Sequence, residues 1–248
     1  MCRLCYDSKT VTTPMSSRRH FLAGAVAAGF ALGSPAFAKE QKAPPKPQNV
    51  LSPAESLERL MKGNARYVEG VARRHDFKAE REALVGGQNP FAAILSCADS
   101  RIAPEYAFDS ARGDLFVCRV AGNFAGDETT ASLEYAVAVL KTPLIMVLGH
   151  ESCGAVDATI KSLKDNTTLP GHLPSLVAAL APAVKATMGQ PGDHLLNATR
   201  RNVLDNVAKL KAATPILSAA VDQGTLKVVG GLYRLADGKV EMVEPPKA

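Results

Sequence analysis

Leu144-Ile145-Met146-Val147-Leu148-Gly149-His150-Glu151-Ser152-Cys153-Gly154 decides how this chain folds. An unbroken apolar run has no polar face to give to water, so residues 144–149 predict a strand covered on both sides. A histidine closes the run. Cys153-Gly154 then opens the next helix, where the N-terminal end favours thiolate over thiol and the glycine leaves room for close approach. Upstream, 91–96 is a similar apolar run ending at Cys97, 114–120 is another, and 129–140 is helical by composition and spacing. Buried strands separated by helices predict an α/β fold: a mainly parallel central β-sheet, with helices on both faces. Cys97 and His150 each fall at the carboxyl end of a central strand, where open α/β sheets hold their ligands.

Further from that centre, Ser52-Pro53-Ala54-Glu55 is a capping box with proline at the first helical position. Leu57, Leu60, Met61, Tyr67 and Val68 give the helix it starts an apolar stripe. Residues 170–213 read as helical, broken by Pro170, Pro174 and the turn at 189–192. A C-terminal antiparallel hairpin follows from 227–235, Asp237-Gly238 and 239–243. No internal repeat is present. The expected organisation is a single domain over 51–248, long enough to bury a sizeable core.

Cys97, His150 and Cys153 supply two sulfurs and one imidazole, a donor set suited to one zinc ion per chain. Three protein ligands leave a tetrahedral ion one open position, which marks a catalytic site rather than a structural one. Asp99 and Arg101 lie two and four residues past the first cysteine, close enough for the arginine fork to hold the carboxylate. Considered without the cysteines, that pair reads better as a loop-stabilising ion pair.

Residues 1–38 read as an export signal. Ser17-Arg18-Arg19-His20-Phe21-Leu22 places a twin-arginine pair before a weakly apolar run, and Ala36-Phe37-Ala38 offers a cleavage site. Met15 is a natural start for such a signal, so 1–14 is read as a possible misassigned start. Residues 39–50 form a Pro/Lys-rich spacer. The implied location is periplasmic, or otherwise exported through the twin-arginine route, with no membrane attachment of the mature form. Cleavage removes four basic residues and one acidic one, lowering the formal charge from +5 to +2. With no basic cluster left, nucleic-acid binding is not expected. Three cysteines survive cleavage, an odd number that builds no disulfide framework.

Together with Gln88, Asp114-Leu115-Phe116-Val117-Cys118-Arg119, Ser132-Leu133-Glu134-Tyr135-Ala136-Val137, Gly149-His150-Glu151-Ser152-Cys153-Gly154 and the Gly-x-Tyr at 231–233, these residues resemble the β-class carbonic anhydrases over roughly 52–243. The resemblance implies reversible hydration of carbon dioxide to bicarbonate by zinc-bound hydroxide, since zinc lowers the pKa of water from ~15.7 toward ~7. It implies Cys97, His150 and Cys153 as metal ligands, with Asp99 a fourth ligand in a closed form only and otherwise paired with Arg101. Gln88, Phe116, Tyr135, Ala121 and Gly154 are implied as the pocket for carbon dioxide or bicarbonate. A homodimer or higher homo-oligomer is implied as well, because the family shares pocket residues between subunits.

Ile94 stands where a bicarbonate-inhibited subclass has tryptophan, which argues against that inhibitory site. Two further readings use the same ligands: hydrolysis of carbon disulfide or carbonyl sulfide, and a noncatalytic zinc- or bicarbonate-binding module. Cys118 alternates with Phe116 in a strand and reads as a buried free thiol. His75, His172 and His194 have no cysteine or carboxylate at ligand spacing and read as ordinary surface or loop histidines.

Overall fold

A computed structural model describes residues 50–245. The signal assigned to 1–38, and all but the last residue of the spacer assigned to 39–50, lie outside the described residues.

Helix α1 (Pro53–Val68) starts at the expected capping box: Glu55 N donates to Ser52 Oγ at 3.3 Å, and Ser52 N donates back to Glu55 Oε2 at 2.8 Å. Its buried residues include Leu60 and Gly63. Gly63 is required there, because a Cβ would lie 1.9 Å from the Phe108 carbonyl oxygen beside the short helix α3 (Pro104–Ala107). A second short helix, α2 (Phe77–Ala83), is capped by Asp76, which accepts from Lys78 N and Ala79 N.

The apolar runs become strands β1 (Ala92–Ser96), β2 (Leu115–Arg119) and β3 (Leu144–His150). They are joined by β4 (Lys227–Tyr233) and β5 (Val240–Val243) in the order β2-β1-β3-β4-β5. All neighbouring pairs are parallel except β4 with β5. The expected hairpin is therefore present, with β4 ending at Tyr233. The chain leaves β1 toward β2 on one side and returns to β3 on the other, so the sheet reverses its strand order between β1 and β3. That is where an open α/β sheet leaves a crevice at its carboxyl edge.

Alternation along the strands divides the core. Ala93, Leu95, Ile145 and Val147 pack with Leu133 of α4 (Asp127–Ala138), Val203 and Leu210 of α7 (His194–Lys211), and Leu217 of α8 (Ile216–Asp222). Ala92, Ile94, Leu144 and Met146 pack on the opposite face with Leu60, Ile102, Ala107 and Phe108. A third cluster joins Cys97 and Cys153 to Val156 of α5 (Gly154–Lys164) and to Leu180 and Val184 of α6 (Leu173–Ala186). Helices on both faces of a mainly parallel sheet match the expectation.

β2 departs from it. Strands β1 and β3 are buried throughout, whereas β2 is half-buried and ends at an exposed arginine. Its place at the edge of the sheet is the reason, with β1 as its strand neighbour among the described residues. Cys118 is accordingly half-buried rather than buried. Enough burial remains to raise its thiol above the usual range.

Candidate metal centre

Three chain segments meet at the crevice. Cys97 follows β1 directly, His150 is the last residue of β3, and Cys153 caps the start of α5. The tight turn from His150 to Cys153 runs through Ser152, whose φ of 51° is a left-handed conformation. All three ligand residues are 0–3% exposed, and their donor atoms lie within 4.8 Å of one another.

This geometry fits zinc. The two sulfurs are 4.0 Å apart, far beyond a disulfide bond of about 2.05 Å and near the roughly 3.8 Å spanned by two tetrahedral bonds of about 2.3 Å. His150 Nδ1 lies 2.8 Å from the Glu151 carbonyl oxygen, so it carries the proton and leaves the Nε2 lone pair free. Nε2 is buried without a hydrogen-bond partner, an arrangement that costs energy unless a cation takes the lone pair. The thiols respond to each other in opposite senses. A hydrogen bond from Cys153 holds Cys97 well below the usual thiol range, and the same contact pushes Cys153 up. A cation at the site favours the deprotonated form of both sulfurs, which makes them available as ligands.

Asp99 and Arg101 form a two-bonded fork, Nε to Oδ1 at 2.9 Å and Nη2 to Oδ2 at 2.7 Å. That fork, together with the Arg101 N–H on Oδ1 at 2.9 Å, holds the Asp99 carboxyl far below the usual range. Arg101 also donates to the Ser152 carbonyl at 3.2 Å, tying the loop after β1 to the turn after β3. Asp99 Oδ2 is 3.8 Å from His150 Nε2, so the carboxylate borders the metal position while paired with its arginine.

Arg119 anchors the ligand loop, a part the sequence reading did not give it. From the end of β2 it donates to the carbonyls of Cys97 (2.9 Å), Asp99 (2.7 Å) and Ile102 (2.8 Å), and so holds the whole ligand loop. An arginine closing an apolar strand was the available signal. Asn202 and Asn206 of α7, buried beneath the same region, were also passed over.

The pocket candidates scatter more widely. Ala121 is half-buried beside Gly122, which contacts the Cys97 sulfur, and Gly154 is the exposed first residue of α5. Phe116 and Tyr135 form a pair of their own, ring centroids 6.3 Å apart, with Tyr135 47% exposed. Gln88 stands exposed on the segment leading into β1. None of the three ligands lines the cavity of about 780 Å³ around Tyr67, His75, Phe77, Tyr106 and Arg112.

His75 lies in the loop between α1 and α2, as expected, but is engaged there, whereas His194 departs from the surface-or-loop reading. His75 is half-buried, with Nδ1 2.9 Å from Glu80 Oε1 and Nε2 4.0 Å from Asp109. Its carboxylates come from five residues along and from another segment, spacings that a search for nearby ligands passes over. His194 is the first residue of α7, with Nε2 3.2 Å from the Val184 carbonyl of α6, a helix-to-helix tie rather than a surface or loop residue. His172 is exposed, as expected.

The sequence profile described as carbonic anhydrase matches residues 92–240. Carbonic anhydrase 2 of Mycobacterium tuberculosis is 38% identical over 189 residues, covering 76% of this chain and 91% of its own. Among solved structures, the β-carbonic anhydrase CcaA is 28% identical with a TM-score of 0.58, covering 76% of this chain and 99% of that one. One of two tetrameric β-carbonic anhydrases from Sordaria macrospora shares the fold at 23% identity and a TM-score of 0.61, over 79% of this chain and 97% of that one.

Proposed function

We propose how the residues of this chain divide the work, given that it belongs to the β-class carbonic anhydrase family. The protein is a zinc enzyme that interconverts carbon dioxide and bicarbonate. Zinc supplies a Lewis acid that makes water nucleophilic near neutral pH. Cys97, His150 and Cys153 would hold the ion through two sulfurs and the His150 Nε2. Asp99 would keep a carboxylate oxygen beside the ion site as a hydrogen-bond acceptor for the attacking water, so fixing where the water's lone pair points. Arg101 keeps Asp99 ionised and stops it from turning into the metal. Arg119 holds the three carbonyls that shape the ligand loop. The observation that carries this division is the buried Cys97–His150–Cys153 triangle with the Asp99–Arg101 fork on its rim.

Gln88, Phe116, Tyr135, Ala121 and Gly154 serve as pocket residues in an assembled homo-oligomer. Support comes from the exposed Tyr135 beside Phe116 at the sheet edge, and from the relatives solved as tetramers. An isolated chain leaves that edge strand open, and a second copy would cover it. Light scattering of the zinc-loaded protein should return a dimer or larger; a monomer with full activity would remove the shared pocket.

Export through the twin-arginine route is supported by Arg18-Arg19 and Ala36-Phe37-Ala38. Among the described residues no helix is long and apolar enough to cross a membrane. Changing both arginines to lysine should strand the precursor in the cytoplasm, and the exported form should begin at Lys39. Export of the double variant at the parental level would refute the route.

Stopped-flow hydration of carbon dioxide by the zinc-loaded protein tests the reading as a whole. Saturable hydration that disappears on chelation is expected. A zinc-loaded, folded oligomer with no hydration above buffer, or one that acts on carbonyl sulfide alone, would overturn it.

A further inference from the structure

We propose that Asn202 and Asn206 of α7 are positioning residues for the metal centre, holding the Gly122 N–H on the sulfur of Cys97. The inference rests on the zinc reading above and adds to it how one ligand is tuned from behind.

The loop after β2 takes an expensive path. Gly122 has φ +83° and the next residue, Asn123, has φ 42°, two left-handed residues in succession. A side chain at Gly122 would meet Leu180 Cδ1 at 2.8 Å from its Cβ. Asn123 is fully buried, and neither atom of its amide has a hydrogen-bond partner. Such a segment persists only where its surroundings over-determine it.

α7 supplies the constraint. Asn202 Nδ2 donates to the Gly122 carbonyl at 2.8 Å, and Asn206 Oδ1 accepts from Ala125 N at 2.7 Å. Asn206 Nδ2 donates to both the backbone and side-chain oxygens of Asn202, at 2.8 and 2.9 Å. The second of those bonds settles which way the Asn202 amide faces, because its side-chain oxygen is engaged and its nitrogen must point at Gly122. The asparagines are 2% and 7% exposed, so water does not compete for these bonds. Lys209 Nζ adds a clamp on the Ala125 carbonyl.

At the far end of this chain of bonds, Gly122 N lies 3.3 Å from Cys97 Sγ. An N–H aimed at a thiolate withdraws part of its charge and fixes its direction, as hydrogen bonds from the surrounding protein do for other metal ligands. Two thiolates donate heavily to one ion, and this contact moderates one of them. A buried polar pair serving only the core would satisfy its own bonds without reaching a ligand.

The test uses the full-length oligomer loaded with cobalt, whose thiolate-to-metal absorption reports charge on the sulfurs. Asn202→Leu and Asn206→Leu should each shift that band and speed release of zinc to a chelator by about tenfold. Asn197→Ala, in the first turn of α7 where the half-buried amide donates to the Pro191 carbonyl at 3.0 Å instead, should change neither. Folded variants of parental oligomer size with the parental band and release rate would overturn the proposal. A measurement on the unmutated protein covers variants that fail to fold. With cadmium-113 in the site and nitrogen-15 in the glycines, one glycine amide should show coupling to the metal through the hydrogen bond. No coupled glycine amide would overturn the proposal, while a parent lacking any thiolate band would overturn the metal reading beneath it.

Discussion

Asp99 and Asp109 stand on either side of α3, and both are carboxylates gripped by arginine. Asp109 is 7% exposed and holds a left-handed φ of 41°. Arg66 of α1 and the Arg73 backbone N–H bind its two oxygens, with the Arg73 side chain at 3.9 Å. Burial, the largest influence on it, raises its pKa, yet the bonds from Arg66 and Arg73 outweigh burial and the net shift is downward. Asp99 is held by a partner only two residues away, in a loop where the Arg101 side chain is 51% exposed, and it faces His150 Nε2. A carboxylate whose partners come from distant segments and whose bonds are all spent is a staple. One held by its own loop, with an oxygen turned toward an ion site, can take part in chemistry.

The comparison has no ground if the ion site is wrong, so the largest effect comes first. Cys97→Ala and Cys153→Ala should each reduce zinc from about one per chain to almost none and abolish hydration. Zinc content by atomic absorption decides this, and full metal retention in either variant would sink the assignment.

Next, Asp99→Asn should keep its zinc while hydration falls on the order of 100-fold, as expected when a preorganised polar group at a reacting atom is removed. Its thermal stability should stay close to the parent. Asp109→Asn should do the reverse, with hydration per bound zinc unchanged and stability lower by roughly 1.5–3 kcal/mol, the scale of hydrogen bonds to a charged group. Chemical denaturation together with stopped-flow on both variants tests the contrast. Equal losses of activity in the two would erase it.

Acid sharpens the same point. The folded-state pKa of Asp109 is depressed, so its contribution to stability is present above the unfolded carboxylate value of about 3.9 and is lost as pH falls through the folded value. The stability gap between parent and Asp109→Asn should therefore hold at neutral pH and close at acid pH. A gap that widened on acidification would show that the charge is not what matters there. The smallest effect is at the far end of α1, the helix that carries Arg66: Ser52→Ala should cost about 1 kcal/mol through loss of the cap, without changing hydration.

Much of this was legible before any coordinates. The apolar runs at 91–96 and 144–149 announced β1 and β3 because a strand buried on both faces must be apolar on both. The capping box marked the start of α1 because the bonds it makes are local. α2, α3 and α8 went unread, since helices of four to seven residues are too short to show a periodicity. β2 carried the same apolar signature as its neighbours, and composition alone did not distinguish an edge strand from a central one. The tie of His75 to Asp109 went unread for a related reason, because Asp109 reaches it across the fold rather than along the chain.

By itself, the sequence determined the ligand chemistry of this protein: two thiols, an imidazole, and a carboxylate with its arginine, placed where strands end. Those are properties of residue type and short spacing, and they are written in the chain. Only the tertiary structure decided that β1 and β3 lie side by side, so that Cys97 meets His150 and Cys153 within one ion's reach. It also decided which groups stand behind them: the Glu151 carbonyl on His150, three carbonyls on Arg119, and the Gly122 amide on Cys97. Every residue but proline carries the same backbone N–H, and all carry the same carbonyl, so nothing in the order of side chains shows which of them will turn toward a metal ligand.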